Sequence, residues 1–284
     1  MKHSTQTRFL AKKYGVERAV DMITGVGFDV DISFQNNLFD LTDRSLPSRI
    51  IKIVGERGKS FVQAHAPYGG GYDNYTQNLI PTFPRVFEIA AELGIPNVVV
   101  HPLQQGRYYG NEERLFDMNM EFYHSLLPLS KATGVRIAIE NMWQRHPITS
   151  VICDDVCAPP DDMARYYDTL NDPEHFTVCL DLGHTALCGR EPENVIRKLG
   201  SRIGCIHAQD VNYQADLHML PGSAKIKWDN VCRALAEVNY PGTFNLEADC
   251  FYENFLPEQY ETVLKFMNDI AKSFAAKIEE YKAQ

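Results

Sequence analysis

Apolar runs of strand length recur along this 284-residue chain, and six of them end on a side chain that can hold a metal or a proton. They are His65 in FVQAHAP, His101 in NVVVHP, Glu140 in RIAIENMW, Asp181 in TVCLDLGH, His207 in IGCIHAQD and Glu247 in FNLEAD. Segments with helical apolar spacing separate the runs, so the chain alternates strand and helix. Repeated βα units of this size favour a parallel sheet closed into a barrel, with a doubly wound open sheet as the alternative. In a barrel the C-terminal strand ends gather on one face, where catalytic residues collect.

The spacing predicts helices at 17–25, 47–57, 82–93, 111–133, 159–170, 192–199, 228–238 and 257–281. It predicts strands at 27–34, 60–65, 97–101, 135–140, 176–181, 203–207 and 242–247, with an eighth within residues 1–8. Gly134 is placed to cap the 111–133 helix. The expected architecture is a single (β/α)8 TIM barrel, with residues 1–284 as one domain; such barrels run to about 250 residues as a unit. The glycines at 69–71 read as a short flexible loop element.

Composition narrows the function classes. The N-terminus, MKHSTQTRFLAKKYG, has no apolar signal-like region, and no apolar run is long enough for a bilayer, so a cytoplasmic protein without a membrane partner is expected. Seven cysteines are an odd number with no CxxC pair, and they read as small packing residues. A net charge of −9 and a pI of about 5.5 disfavour a polyanionic partner such as nucleic acid. Homo-oligomerisation is left open.

A lone histidine in an apolar strand is usually a hydrogen-bonded core residue, and a lone strand-end carboxylate usually caps the next helix. Six such residues on successive strands face one cavity if the barrel closes, and their charges then crowd together. A divalent cation resolves that crowding, with Glu140, Asp181 and Glu247 as oxygen ligands and His207 as the nitrogen ligand. One ion of Mn, Mg, Zn, Co or Fe suits such donors. His184 follows three residues after Asp181, and the i, i+2 spacing of Asp216 and His218 puts both on one face of an extended segment. Trp143 could supply an apolar wall for a sugar face. In LPGSAKIKW, Ser223, Lys225 and backbone amides could meet a phosphate.

RAVDMITGVGFDVDISF, HAPY, VVVHP, IAIEN, LDLGH, IHAQD, LHMLPGSAKIKW and FNLEAD, in that order, resemble the xylose isomerase-like barrels: sugar isomerases and epimerases together with the endonuclease IV group. The resemblance implies metal-ligand roles for Glu140, Asp181, His207 and Glu247, and a substrate contact for His184. All nine positions His65, His101, Glu140, Asp181, His184, His207, Asp216, His218 and Glu247 also match the zinc ligands of the endonuclease IV branch, which uses a trinuclear cluster. The stretch AQDVNYQADLH holds no Lys or Arg, unlike the basic stretch of the DNA-cleaving branch. Ala224 replaces the second glycine of the sugar branch, which weighs against a tight phosphate cradle.

The expected function is therefore a metal-dependent sugar or sugar-phosphate isomerase or epimerase. Glu140 and Glu247 are its acid/base pair, and His65, His101, Trp143, His184, Asp216 and His218 contact substrate. The alternatives are a trinuclear zinc phosphodiesterase and a catalytically silent sugar-binding barrel.

Overall fold

The structure, a computed structural model, describes residues 1–284, the side chain of Asn36 excepted. Strands β1 (His3–Gln6), β2 (Asp29–Ser33), β3 (Phe61–His65), β4 (Asn97–Val100) and β5 (Arg136–Glu140) are followed by a small hairpin, β6 (Trp143–Arg145) and β7 (Ile152–Asp154). The barrel then continues through β8 (Phe176–Asp181), β9 (Ile203–His207) and β10 (Phe244–Leu246). The eight-stranded sheet runs β10-β1-β2-β3-β4-β5-β8-β9, every pair parallel. Its two ends meet through a parallel bridge between Ala208 and Leu246, in which Ala208 N donates to Asn245 O at 2.8 Å. This is a single (β/α)8 barrel, and the open-sheet alternative is excluded by that closure.

Helices cover the strands because their apolar stripes face inward. In Pro192–Leu199, Val195, Ile196 and Leu199 are buried while Arg197 and Lys198 are exposed. Gly134 caps Glu112–Thr133 as expected, in the left-handed region at φ 71°, its N–H bonded to Ser130 O. The expected 257–281 helix starts later, at Tyr260, after a 3-10 turn over Pro257–Gln259. Strand 242–247 shortens to Phe244–Leu246 and strand 97–101 to Asn97–Val100, so Glu247 and His101 sit one residue beyond their strands. The hairpin and the helix Arg8–Tyr14 have no counterpart in the sequence-based assignment.

Inside the barrel, Val99, Ala138, Cys179 and Cys205 form a small packed cluster. All seven cysteines are free thiols. Among the described residues, no helix is long and apolar enough to cross a membrane.

Candidate functional site

The strand register carries the six strand-end groups to one mouth of the barrel, and all six are buried or nearly so. His207 Nδ1 lies 2.8 Å from Glu140 Oε1, 2.9 Å from Glu247 Oε2 and 3.8 Å from Asp181 Oδ2. The four groups offer ligand atoms within 4.8 Å of one another. Ligand atoms held by one ion at about 2.0–2.2 Å stand roughly 3–4 Å from one another, so a cation fits once His207 Nδ1 and the glutamate oxygens spread slightly and the wider pairs close. His207 Nδ1 is shared between the Glu140 and Glu247 carboxylates at the place a cation would take.

The electrostatics support this fit. Burial, with Glu247 and Glu140 nearby, pushes Asp181 up to about 6. Burial also opposes the charge on Glu140, but His207 and His101 outweigh it and hold that carboxyl well below its ordinary range. Three buried carboxylates around one imidazole leave negative charge that a divalent cation would neutralise.

A second group shares Glu140. His101 Nε2 is 2.9 Å and His65 Nε2 3.3 Å from Glu140 Oε2. A third centres on Asp216 Oδ2, with His218 Nε2 at 3.2 Å and His184 Nε2 at 3.5 Å. In three of these histidines a backbone carbonyl orients Nδ1: Ala66 O for His65, Asn141 O for His184 and Glu247 O for His218. The Nε2 atoms are left facing the carboxylates, an orientation typical of metal or substrate contacts. Burial opposes the charge on His218, yet Glu247 and Asp216 raise it to about 9.

These groups border a cavity of about 280 Å³, whose lining includes Tyr68, His101, Glu140, Trp143, His184, Asp216, His218 and Glu247. Trp143 stands on β6, half-buried, and lines the cavity. Gln104 anchors it by donating to Trp143 O and Asp155 Oδ2, and Tyr109 and Arg190 hold Asp154 on β7.

Asp181 joins the cluster and also caps the helix Leu182–Leu187, accepting from His184 N at 2.6 Å. Gln209 Nε2 donates to Asp181 Oδ2, and Gln209 Oε1 accepts from His218 N. A Cβ at Gly183 would lie 2.5 Å from the Gln209 carboxamide carbon, so the glycine in DLGH permits this approach. Asn141 ties β5 to β8, accepting from Asp181 N and donating to Asp181 O.

Several of these residues carry no role in the sequence-based expectation. Asn141 and Gln209 lie inside the motifs IAIEN and IHAQD, beside the groups those motifs mark. Asp249 follows Glu247 at the same i, i+2 spacing that paired Asp216 with His218, and it receives a bidentate guanidinium from Arg8. Asp31 is wholly buried; its Oδ2 accepts from Asn245 Nδ2 at 2.8 Å and Gln63 Nε2 at 3.3 Å, and its Oδ1 has no partner.

Burial pushes Asp31 up to about 6, against an ordinary 3.8. Its folded-state pKa is raised, so its contribution to stability is complete below about pH 4 and is lost as pH rises through about 6. Asp31→Asn should therefore stabilise metal-free protein at pH 8 by up to roughly 3 kcal/mol and change little at pH 4, as read by urea unfolding. Equal effects at both pH values would contradict this account.

The expected phosphate contact at LPGSAKIKW is corrected. Asp210 already takes its amides: Gly222 N, Ala224 N, Lys225 N and Ile226 N donate to its carboxylate at 2.9–3.0 Å, and Trp228 Nε1 donates at 2.9 Å. Ser223 Oγ turns to Leu220 O. The side chain plays the anion's part from within. Asp210→Ala should cost about 3 kcal/mol in unfolding free energy, because it orphans two buried donors, Ile226 N and Trp228 Nε1, and three part-buried amides at once; a loss below about 1 kcal/mol would refute the clamp.

Comparison with known proteins bears on the family and the fold. Inosose dehydratase 2 of Bacillus cereus is 30% identical over 113 residues, 34% of this chain and 37% of that protein. The first curated relatives matched are uncharacterised, at 26% and 28% identity, and the chain spans 59% and 62% of their length. The crystal structure of a D-tagatose 3-epimerase-like protein superposes with a TM-score of 0.76 at 18% identity, covering 99% of both chains. The IolI protein, solved with a zinc atom, superposes at 0.70 with 19% identity, again over 99% of both. At these identities the two structures show a shared fold. A family model matches residues 10–270, nearly the whole barrel, and the chain belongs to the xylose isomerase-like TIM barrel family.

Proposed function

We propose that this protein is a divalent-metal-dependent enzyme that isomerises or epimerises a sugar by moving a proton at a carbon beside its carbonyl, with residues 1–284 as one functional domain. The observation that carries this reading is the placement of Glu140 and Glu247. Both carboxylates border the cavity, they arrive from β5 and β10, and His207 Nδ1 lies within 2.9 Å of each.

Glu140, Asp181, His207 and Glu247 would hold the ion. When bound, a divalent cation supplies Lewis-acid stabilisation, worth several kcal/mol, of the charge that develops on the substrate's carbonyl oxygen. Carboxylates on the two faces of a bound substrate would let one remove the proton and the other deliver one. Return to the same carbon from the other face epimerises, and return to the neighbouring carbon isomerises. His65, His101, His184 and His218, with Asp216, orient the hydroxyls, and Trp143 covers an apolar face of the sugar.

The test is incubation of metal-loaded protein in deuterated water with ketoses and their phosphates, following deuterium uptake beside the carbonyl together with product. Water elimination belongs among the products examined, because one relative is an inosose dehydratase. No uptake and no conversion across the panel would count against this chemistry.

A second reading rests on the histidine Nε2 atoms facing Glu140 and Asp216. Those contacts extend the four-ligand group toward a trinuclear zinc phosphodiesterase site. Against it, the cavity lining includes no Lys or Arg among the described residues.

A further inference from the structure

One layer below the mouth, the barrel interior is divided. Val99, Ala138, Cys179 and Cys205, on β4, β5, β8 and β9, each stand two residues before a mouth group and pack as the apolar half. Ser4, Asp31, Gln63 and Asn245, on β1, β2, β3 and β10, make the other half, and all four are buried. Barrel layers are ordinarily filled by branched apolar side chains, and a buried carboxylate is costly unless its bonds are complete. Asp31 receives bonds from two neutral amides, Asn245 Nδ2 and Gln63 Nε2, and both go to Oδ2. The Asn245 amide cannot turn round, because its Oδ1 accepts from Ser4 Oγ at 2.6 Å.

Three buried polar atoms on neighbouring strands are left unpartnered: Asp31 Oδ1, Gln6 Oε1 and His207 Nε2. Gln6 is the register partner of Asp31 across β1 and β2, and its Nε2 donates to Glu247 Oε1 at 3.4 Å. His207 turns Nδ1 toward Glu140 and Glu247, so Nε2, on another edge of the ring, points away from them. The His207 ring stacks on His65, with centroids 5.6 Å apart, and His65 stands two residues beyond Gln63, the register partner of Asp31 on β3. Burial drives the Asp31 carboxyl up, and the charge of His207 is the first to oppose it, so each side chain lies in the other's field.

The three atoms are complementary. Two are acceptors, and Nε2–H becomes a donor that must keep its proton when Nδ1 is given to an ion. One water that donates to both oxygens and accepts from Nε2–H satisfies all three, the usual number of bonds for an internal water. An outer carboxylate that takes the second N–H of a ligating histidine fixes both its tautomer and its ring plane.

We propose that Asp31 is a positioning residue of the metal site: across one water shared with Gln6 Oε1, its Oδ1 accepts the Nε2–H of His207 and holds Nδ1 in place as a ligand. The proposal rests on the metal-dependent reading above. Asp31 itself is outside the lining of the catalytic cavity.

The test is Asp31→Asn in the full chain. Because Asn245 and Gln63 both donate to Oδ2, the asparagine keeps its oxygen there and turns its amide toward the shared water, which removes the anionic acceptor with little change of volume. Affinity of metal-free protein for its first equivalent of zinc, measured by calorimetry at pH 8, should fall about 10- to 100-fold. Metal-free unfolding free energy at the same pH should rise, as argued above for this substitution, so weaker binding is then not a loss of fold. In zinc-loaded parent, isotope-labelled at histidine nitrogen, the His207 Nε2–H signal should exchange slowly with water, and in the variant it should move upfield. Affinity within threefold of the parent, or affinity and metal-free stability falling together, would overturn the positioning role. If the variant does not fold, the parent decides: a His207 Nε2–H that exchanges as fast as that of exposed His124 would overturn the proposal. A parent that binds no zinc, manganese or magnesium would strike the metal reading and this proposal with it, whereas parent and variant binding equally well would strike the proposal alone.

Discussion

Glu247→Gln is expected to lower deuterium exchange and product formation by about 10³-fold or more in protein loaded with metal. General acid–base catalysis alone contributes about 10²–10⁴-fold, and this carboxylate also stands in the candidate ligand set. Gln keeps the volume but loses the charge and most of the basicity, and it leaves Arg8, 4.0 Å from Glu247 Oε1, and His207 Nδ1 without that anion. Metal content measured on the same sample separates the two losses. Retained metal with absent exchange identifies the proton-transfer role, whereas lost metal with absent exchange identifies the ligand role. Glu237→Gln, at an exposed pair with Arg197, is the control and should leave the rate unchanged. Activity within tenfold of the parent for Glu247→Gln would remove this residue from the chemistry.

Native mass spectrometry is expected to find about one divalent ion per chain, and chelation should lower the unfolding midpoint. An ion present at about 1,000 times its dissociation constant stabilises a fold by roughly 4 kcal/mol, so the effect is large. Ion entry requires the His207 Nδ1 proton to leave, so uptake by metal-free protein should release about one proton per chain. With Asp181 near 6 in the metal-free state, affinity should weaken as pH falls through about 6, because the protonated carboxyl ligates poorly. Three tightly held zinc ions, lost stepwise on changing His101 or His218, would reverse the ranking of the two readings and make incision of abasic DNA the activity to measure.

The barrel was legible because its causes are local. A strand buried on both faces must be apolar throughout, and an amphipathic helix must repeat at 3.6 residues, so the alternation shows in the chain itself. The six strand-end groups were legible for the same reason: a charged or imidazole side chain closing an apolar run needs a partner. The hairpin β6–β7 escaped that reading. Its strands are three residues each, WQR and ICD, too short for a period to show, and they are held by Gln104, Tyr109 and Arg190 from distant segments.

LPGSAKIKW shows the limit most clearly. Its glycine, serine and lysines suit an anion-binding loop, and the anion is Asp210, twelve or more residues before the amides it binds. Arg8 and Asp249 are 241 residues apart, and Gln6 meets Glu247 across the same span because β1 pairs with β10. Sequence by itself determined the element types, the end of the barrel that carries the polar groups, and the donor chemistry those groups offer. Tertiary structure alone decided which nitrogen of each histidine faces a carboxylate, which carboxylates share His207, and which donors are already taken. Pattern reflects what each residue must bury, whereas bonding depends on which residues barrel closure brings within about 3 Å.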